Sequence, residues 1–263
     1  MSAYVAILSA RFRALLQYRM AAVAGFGTQL FWGLIRVMIF AGFYHSARGP
    51  QPMSYSEVVS YVWLGQAMLA MLPWNIDGDI AAMIRSGNVA YELVRPVDIY
   101  ALWFSRALAM RTAPVLLRAV PMFIIAGLFL GLKPPASAAS GCAWVGATFG
   151  ALILSCALTT LITISLLWTV SGEGIRRMLP SFVTVLSGMI IPLPLLPDWA
   201  RSIVYALPFR GLVDTPFRLY VGNIPPEQAA SAIAQQLVWA VALIMLGRWV
   251  LARGLRKLVV QGG

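Results

Sequence analysis

The stretch CAWVGATFGALILSCALTTLITISLLWT, about residues 142–169, contains no charged side chain. It is longer than the roughly 20 apolar residues a helix needs to cross a hydrocarbon core about 30 Å thick. Comparable runs recur along the chain. Only 11% of the residues are charged, while 60% are hydrophobic; a soluble domain carries about a quarter charged residues. Too little polar surface is available to cover a soluble core. The chain therefore reads as an all-α polytopic membrane protein.

Six spans are expected, at about 21–45, 57–74, 112–132, 142–169, 178–195 and 231–251. The third closes a longer helix that starts near Tyr100. Ahead of the first span, Val5, Leu8, Phe12 and Leu15 recur at helical spacing while Arg13 and Gln17 face away. That pattern describes a helix lying in the membrane interface. Arg11, Arg13 and Arg19 interrupt the apolar core that a cleavable signal would need. The chain reads as one membrane domain over 1–263.

A net charge of +11 would point to nucleic acid in a soluble domain. Here the basic residues flank apolar segments and read as topology signals. With the N-terminus placed inside, the inner segments hold Arg11, Arg13, Arg19, Arg85, Arg95, Arg106, Arg111, Arg118, Arg176, Arg177, Arg253, Arg256 and Lys257. The outer segments hold only Arg48, Lys133, Arg201, Arg210 and Arg218. The bias puts both termini in the cytoplasm. Arg111 and Arg118, seven apart, share one face of the third span and read as headgroup anchors.

Several chemistries are excluded. Cys142 and Cys156 lie on one helix, about 21 Å apart, and cannot bond to each other. His45 is the single histidine, so no His-rich metal site forms within one chain. No Gly-rich phosphate loop with its Lys-Ser/Thr pair occurs, so any ATP must be bound by another chain.

The densest charge lies in IDGDIAAMIRSGNVAYELVRPVDIY, residues 76–100. A metal-dependent membrane transferase would need aspartates that recur on one face. Asp77 and Asp79 are two apart and do not share one. Asp77, Ala81, Arg85, Asn88, Glu92 and Arg95 instead follow steps of four and three, with Ile80, Ile84, Tyr91 and Val94 as an apolar stripe beside them. Ser86-Gly87-Asn88 is a candidate break between two short helices. The segment reads as an amphipathic cytoplasmic element whose mixed-charge face is free for docking. Within the first span, Arg36 must turn to protein or water. It lines a substrate path, pairs across a subunit interface or snorkels outward past His45. Gln66 is placed to bond between helices.

The stretch SGMIIPLPLLPDWARSIVYALPFRGLVDTPFRLYVG, 187–222, is too apolar for a free loop and too proline-broken for a span. It fits short helices re-entering the outer leaflet, buried against the spans. This order of features resembles the ABC-2 type permeases: a span, Ser-Gly with a nearby Ile-Pro-Leu, then Leu-Pro-x-Trp and Leu-Pro-Phe. LVRPVD in the inner segment resembles their compact six-span branch. The likeness extends over essentially the whole chain.

The resemblance implies the transmembrane permease subunit of an ATP-binding-cassette exporter in a bacterial inner membrane. Two ATP-binding subunits would carry ATP and magnesium, leaving no cofactor or catalytic residue on this chain. A second permease, identical or homologous, would complete the complex, with lipid and no nucleic acid as further partners. Asp77, Asp79, Arg85, Asn88, Glu92 and Arg95 would form the coupling helix. Glu173, Arg176 and Arg177 of the inner loop 171–179 would add a second contact. An ion-driven carrier is the alternative in the same class, but it calls for inverted repeats and mid-span acids that are not found.

Overall fold

A computed structural model describes residues 3–169 and 173–256, and among these every regular element is helical. In chain order the helices are α1 (Ala3–Leu16), α2 (Arg19–Ser46), α3 (Tyr55–Ala67), α4 (Gly78–Arg85), α5 (Ala90–Leu93) and α6 (Ile99–Phe129). They continue as α7 (Ala138–Ser165), α8 (Glu173–Leu186), α9 (Asp198–Ala206), α10 (Asp214–Val221) and α11 (Ala229–Leu255). Four helices are long and apolar enough to cross a membrane: α2, α6, α7 and the Pro226–Leu255 helix that contains α11. The segments expected as the second and fifth spans are shorter. α3 has 13 residues and α8 has 14, which correspond to about 20 Å of helix each.

Helix starts follow local chemistry. Ser54 and Glu57 form a reciprocal capping box at α3. Asp77 accepts from the backbone N–H groups of Asp79 and Ile80 at α4. Asp98 accepts from Ala101 at α6, and Ser137 from Ser140 at α7. Each satisfies donors that a helix start otherwise leaves orphaned. α6 carries Pro114 and Pro121 in its interior, so two carbonyls one turn earlier lose their N–H partners.

α3 is the central helix. Every residue from Val58 to Ala67 is buried, and the Trp63 indole donates to the Leu130 carbonyl at 2.9 Å. The main core runs through Trp63, Leu64, Met122 and Leu154. A smaller cluster at one end joins Ile80, Val89, Tyr100, Trp103, Ile164 and Leu251. α7 packs against α11 and α10, while α1 lies along α6. α2 is the peripheral span, with Phe31, Trp32, Leu34, Met38 and Ile39 exposed.

The broken segment after α8 closes on this core. Gly188 has φ +86, and a Cβ there would lie 2.6 Å from the Tyr61 hydroxyl. The preceding Ser187 carbonyl accepts from the Asp214 N–H at 3.1 Å. This gives the Ser-Gly pair a physical reason: the turn needs a left-handed residue, and the space beside it is taken. α10 then inserts with Thr215, Phe217 and Leu219 buried. Gly188→Ala is expected to cost on the order of 2 kcal/mol from the left-handed backbone and the clash together. A melting curve of the purified protein checks this; an unchanged Tm contradicts it.

Candidate functional site

The acids of the 76–98 segment are paired within the chain, and the pairs tie five helices together. Arg106 of α6 donates to both oxygens of Asp77, at 2.7 and 2.8 Å, and reaches Asp79 at 3.2 Å. Arg11 of α1 meets Asp79 as well and comes within 3.5 Å of Asp77. Burial pushes the Asp77 carboxyl above the usual range, and Arg11 opposes that shift. Asp98 pairs with Arg248 of α11 at 3.1 Å, and its N–H donates to the Tyr4 hydroxyl of α1 at 2.9 Å. Glu92 of α5 is buried and accepts from the Trp103 indole at 2.8 Å.

The candidate break at Ser86-Gly87-Asn88 is where the helix stops, and the correction is that the mixed charges do not share one free face across it. Gly87 has φ +76, so the chain ends one short helix and starts another out of phase. Asp77 and Glu92 turn inward as the fastening of the element. Asp79, Arg85, Asn88 and Arg95 remain exposed. So do Tyr91 and Val94, at 72% and 81%. The outward surface is therefore an apolar tip flanked by arginines. Arg106 and Arg11 entered the sequence reading only as topology signals. The better clue is scarcity: a chain with nine acids that groups four of them needs cations nearby.

The segment expected to add a second contact, 171–179, includes the N-terminus of α8 at Glu173. The side chains of Glu173, Arg176 and Arg177 lie outside the described residues.

Arg36 is partly buried and donates to the Met189 carbonyl at 2.7 Å, just after the Gly188 turn. Gln66 is fully buried in α3 beside Gly33 of α2, where a Cβ would come 3.1 Å from its Cγ and 2.4 Å from the Trp63 ring. Arg36 and Gln66 thus belong to the packing of α2 on the core.

The sequence reading missed the cluster at the bend between α9 and α10. Asp214 is completely buried, with Arg218 at 3.3 Å and Arg210 at 3.6 Å. Arg218 also donates to the Tyr205 hydroxyl at 3.0 Å and to Asn223 at 2.7 Å, and Arg210 lies over the Tyr205 ring. The spacing R-x-x-x-D-x-x-x-R across 210, 214 and 218 is the available signal. It places three charges on one side of a helical turn.

Arg111 corrects a further expectation. It is buried rather than turned to headgroups, at 2% exposure. Its guanidinium donates to Thr159 at 3.1 Å and to Asn75 Oδ1 at 3.0 Å, and also meets the Asn75 carbonyl.

A family model described as "ABC-2 family transporter protein" matches residues 23–262. No curated protein matches the chain.

Proposed function

The chain belongs to the ABC-2 family of transporter proteins, and from that premise we propose that it is the permease subunit of an exporter driven by ATP. The ATP and its magnesium are held on two separate ATP-binding subunits. A second permease, identical or homologous, completes the membrane domain, and the exposed apolar face of α2 is available to it or to lipid. Six segments cross the membrane in this reading. α3 with the turn at Leu69–Met71 and α8 with its continuation to the proline bend are the two short crossings. Both termini face the cytoplasm of a bacterial inner membrane, and α9 and α10 re-enter the outer leaflet. The whole chain acts as one membrane domain.

The coupling element is α4–α5, with the 171–179 loop as a second contact. One observation carries this assignment: an exposed tip of Tyr91 and Val94, flanked by Arg85 and Arg95, stands on a base locked by Asp77, Arg106 and Arg11. Such a tip can enter a groove on a partner. A locked base can pass its displacement on to α6, which runs 31 residues, about 46 Å. Closure of the ATP-binding pair then moves the spans as rigid bodies and switches access from the inner to the outer side. A translocation path or permease interface on the α2 side of the core would involve Arg36 directly and Gln66 through the packing beneath it.

The test is purification in mild detergent with identification of every co-purifying chain. A stoichiometric ATP-binding subunit is expected with the wild type. Tyr91→Asp and Val94→Asp should each reduce its recovery at least tenfold, because burying a carboxylate in an apolar contact is costly. Full recovery with both variants rules out this docking tip.

A further inference from the structure

α2, the connection before α4 and α6 enclose a cleft of about 390 Å³. Its polar lining comes from Gln29, Asn75, Arg111 and Arg118, with Trp74 at the edge and Leu69 and Pro114 among the apolar walls. The volume lies within the range of small-ligand sites.

The charge in this cleft is unbalanced. Arg111 has only neutral acceptors, on Asn75 and Thr159. Arg118 has one long contact to the Ala21 carbonyl at 3.5 Å, and its Nε has no partner. Among the described residues neither arginine pairs with a carboxylate. A guanidinium within a membrane bundle ordinarily finds an acid, a carbonyl cluster or water.

Gln29 points the same way. It is 3% exposed, and both its amide nitrogen and its oxygen lack a partner. An amide buried without hydrogen bonds is costly in a protein and more so beside lipid. The α2 backbone also leaves room for the second arginine. A Cβ at Gly25 would lie 2.5 Å from the Arg118 guanidinium carbon. Two cations, an unpartnered amide and a cleared approach converge on one space.

We propose that this cleft binds the phosphate of an anionic membrane amphiphile. The phosphate oxygens accept from the Arg111 and Arg118 guanidinium groups and from the Gln29 amide. Leu69 and Pro114 provide the apolar wall for the start of the hydrocarbon, and Trp74 lies at the level of the headgroup. Arginine forks suit phosphate oxygens. The proposal concerns binding alone and does not depend on the exporter reading.

The full-length protein in detergent is titrated with lysophosphatidylglycerol, lysophosphatidylcholine of the same acyl chain, and inorganic phosphate, with occupancy read by native mass spectrometry. The anionic lysolipid should bind at least tenfold more tightly than the choline lipid, whose positive headgroup cancels its phosphate. Arg118→Gln should abolish that preference and Gln29→Leu should reduce it severalfold. Arg118 has one weak contact to lose, so its variant should still fold, and Gln29→Leu is of similar size and removes only unpartnered atoms. Equal binding of the two lysolipids by the wild type overturns the proposal. A preference that either variant leaves undiminished from the wild-type value overturns it too. Displacement of the lipid by equimolar inorganic phosphate overturns the amphiphile part and assigns the cleft to a soluble anion.

Discussion

Asp214→Leu is expected to leave almost no folded protein in the membrane fraction. Asp214 is wholly buried, and Arg210 and Arg218 are the cations that neutralise it, with side-chain exposures of 17% and 13%. Removing the acid leaves two largely desolvated guanidinium groups facing each other. Breaking a buried pair from one side typically costs about 3–5 kcal/mol, against a total stability of about 5–15 kcal/mol. Two orphaned cations put this substitution at or above the upper end. The carboxylate also sits where Ser187 and Gly188 meet α10, so the loss falls on the bend that closes the core. Asp214→Asn keeps an acceptor for Arg218 and should lose about half as much. Size-exclusion profiles and Tm of a fluorescently tagged full-length chain decide the matter. A wild-type profile for Asp214→Leu removes the cluster from the account of stability.

The second large effect is on coupling. Arg106→Leu should leave insertion and the core intact while lowering permease-stimulated ATP hydrolysis in the reconstituted complex at least tenfold. Arg106 is the cation with two hydrogen bonds to Asp77 and a third to Asp79. Without it the α4 base is held by Arg11 alone, so a push on the Tyr91 tip rotates the element instead of moving α6. Arg106→Lys should not rescue, because an ammonium cannot reproduce the two-pronged contact. A double-mutant cycle with Asp77→Asn should give a coupling energy of about 1–3 kcal/mol for directly bonded partners. If Arg106→Leu couples like the wild type, the fastening has no mechanical role.

Hydropathy located the long helices closely. The spans expected at 21–45, 142–169 and 231–251 are α2 at 19–46, α7 at 138–165 and α11 at 229–255. The long helix expected from Tyr100 is α6, starting at Ile99. Apolar content is a sum over a segment, so it survives local irregularity. The ends of the two short segments depend on single residues, which a sum does not register. Apolar sequence continues to Pro73, yet α3 stops at Ala67 and gives way to a tighter turn. The fifth segment is expected to run to about 195, whereas its helix stops at Leu186, ahead of the left-handed backbone at Gly188.

The candidate site was half legible for a related reason. Periodicity holds only within one helix, so it sets Asp77 with Arg85 but does not orient Glu92 beyond the candidate break at Ser86-Gly87-Asn88. The Gly87 turn resets the phase, and a sequence does not say which face meets Trp103 or Arg106. Arg111 shows the same limit. Position along α6 makes it a natural headgroup anchor, but the direction of its side chain is set by Asn75 and Thr159 on other elements. Contacts between residues distant in sequence carry no local signature.

The bridge from Arg11 to Asp77 and Asp79 also has a consequence for biosynthesis. α1 leaves the ribosome well before the residues that hold it are made. At about 5–20 residues per second, the 95 positions from Arg11 to Arg106 take roughly 5–19 s to synthesise. Asp77 and Asp79 are made about two thirds of the way through that interval, and the Arg106 that fixes both acids only at its end. α1 is thus fixed in place only after α2, α3, α4 and α5 have been made, and its docking marks the moment when about two fifths of these 263 residues have been assembled.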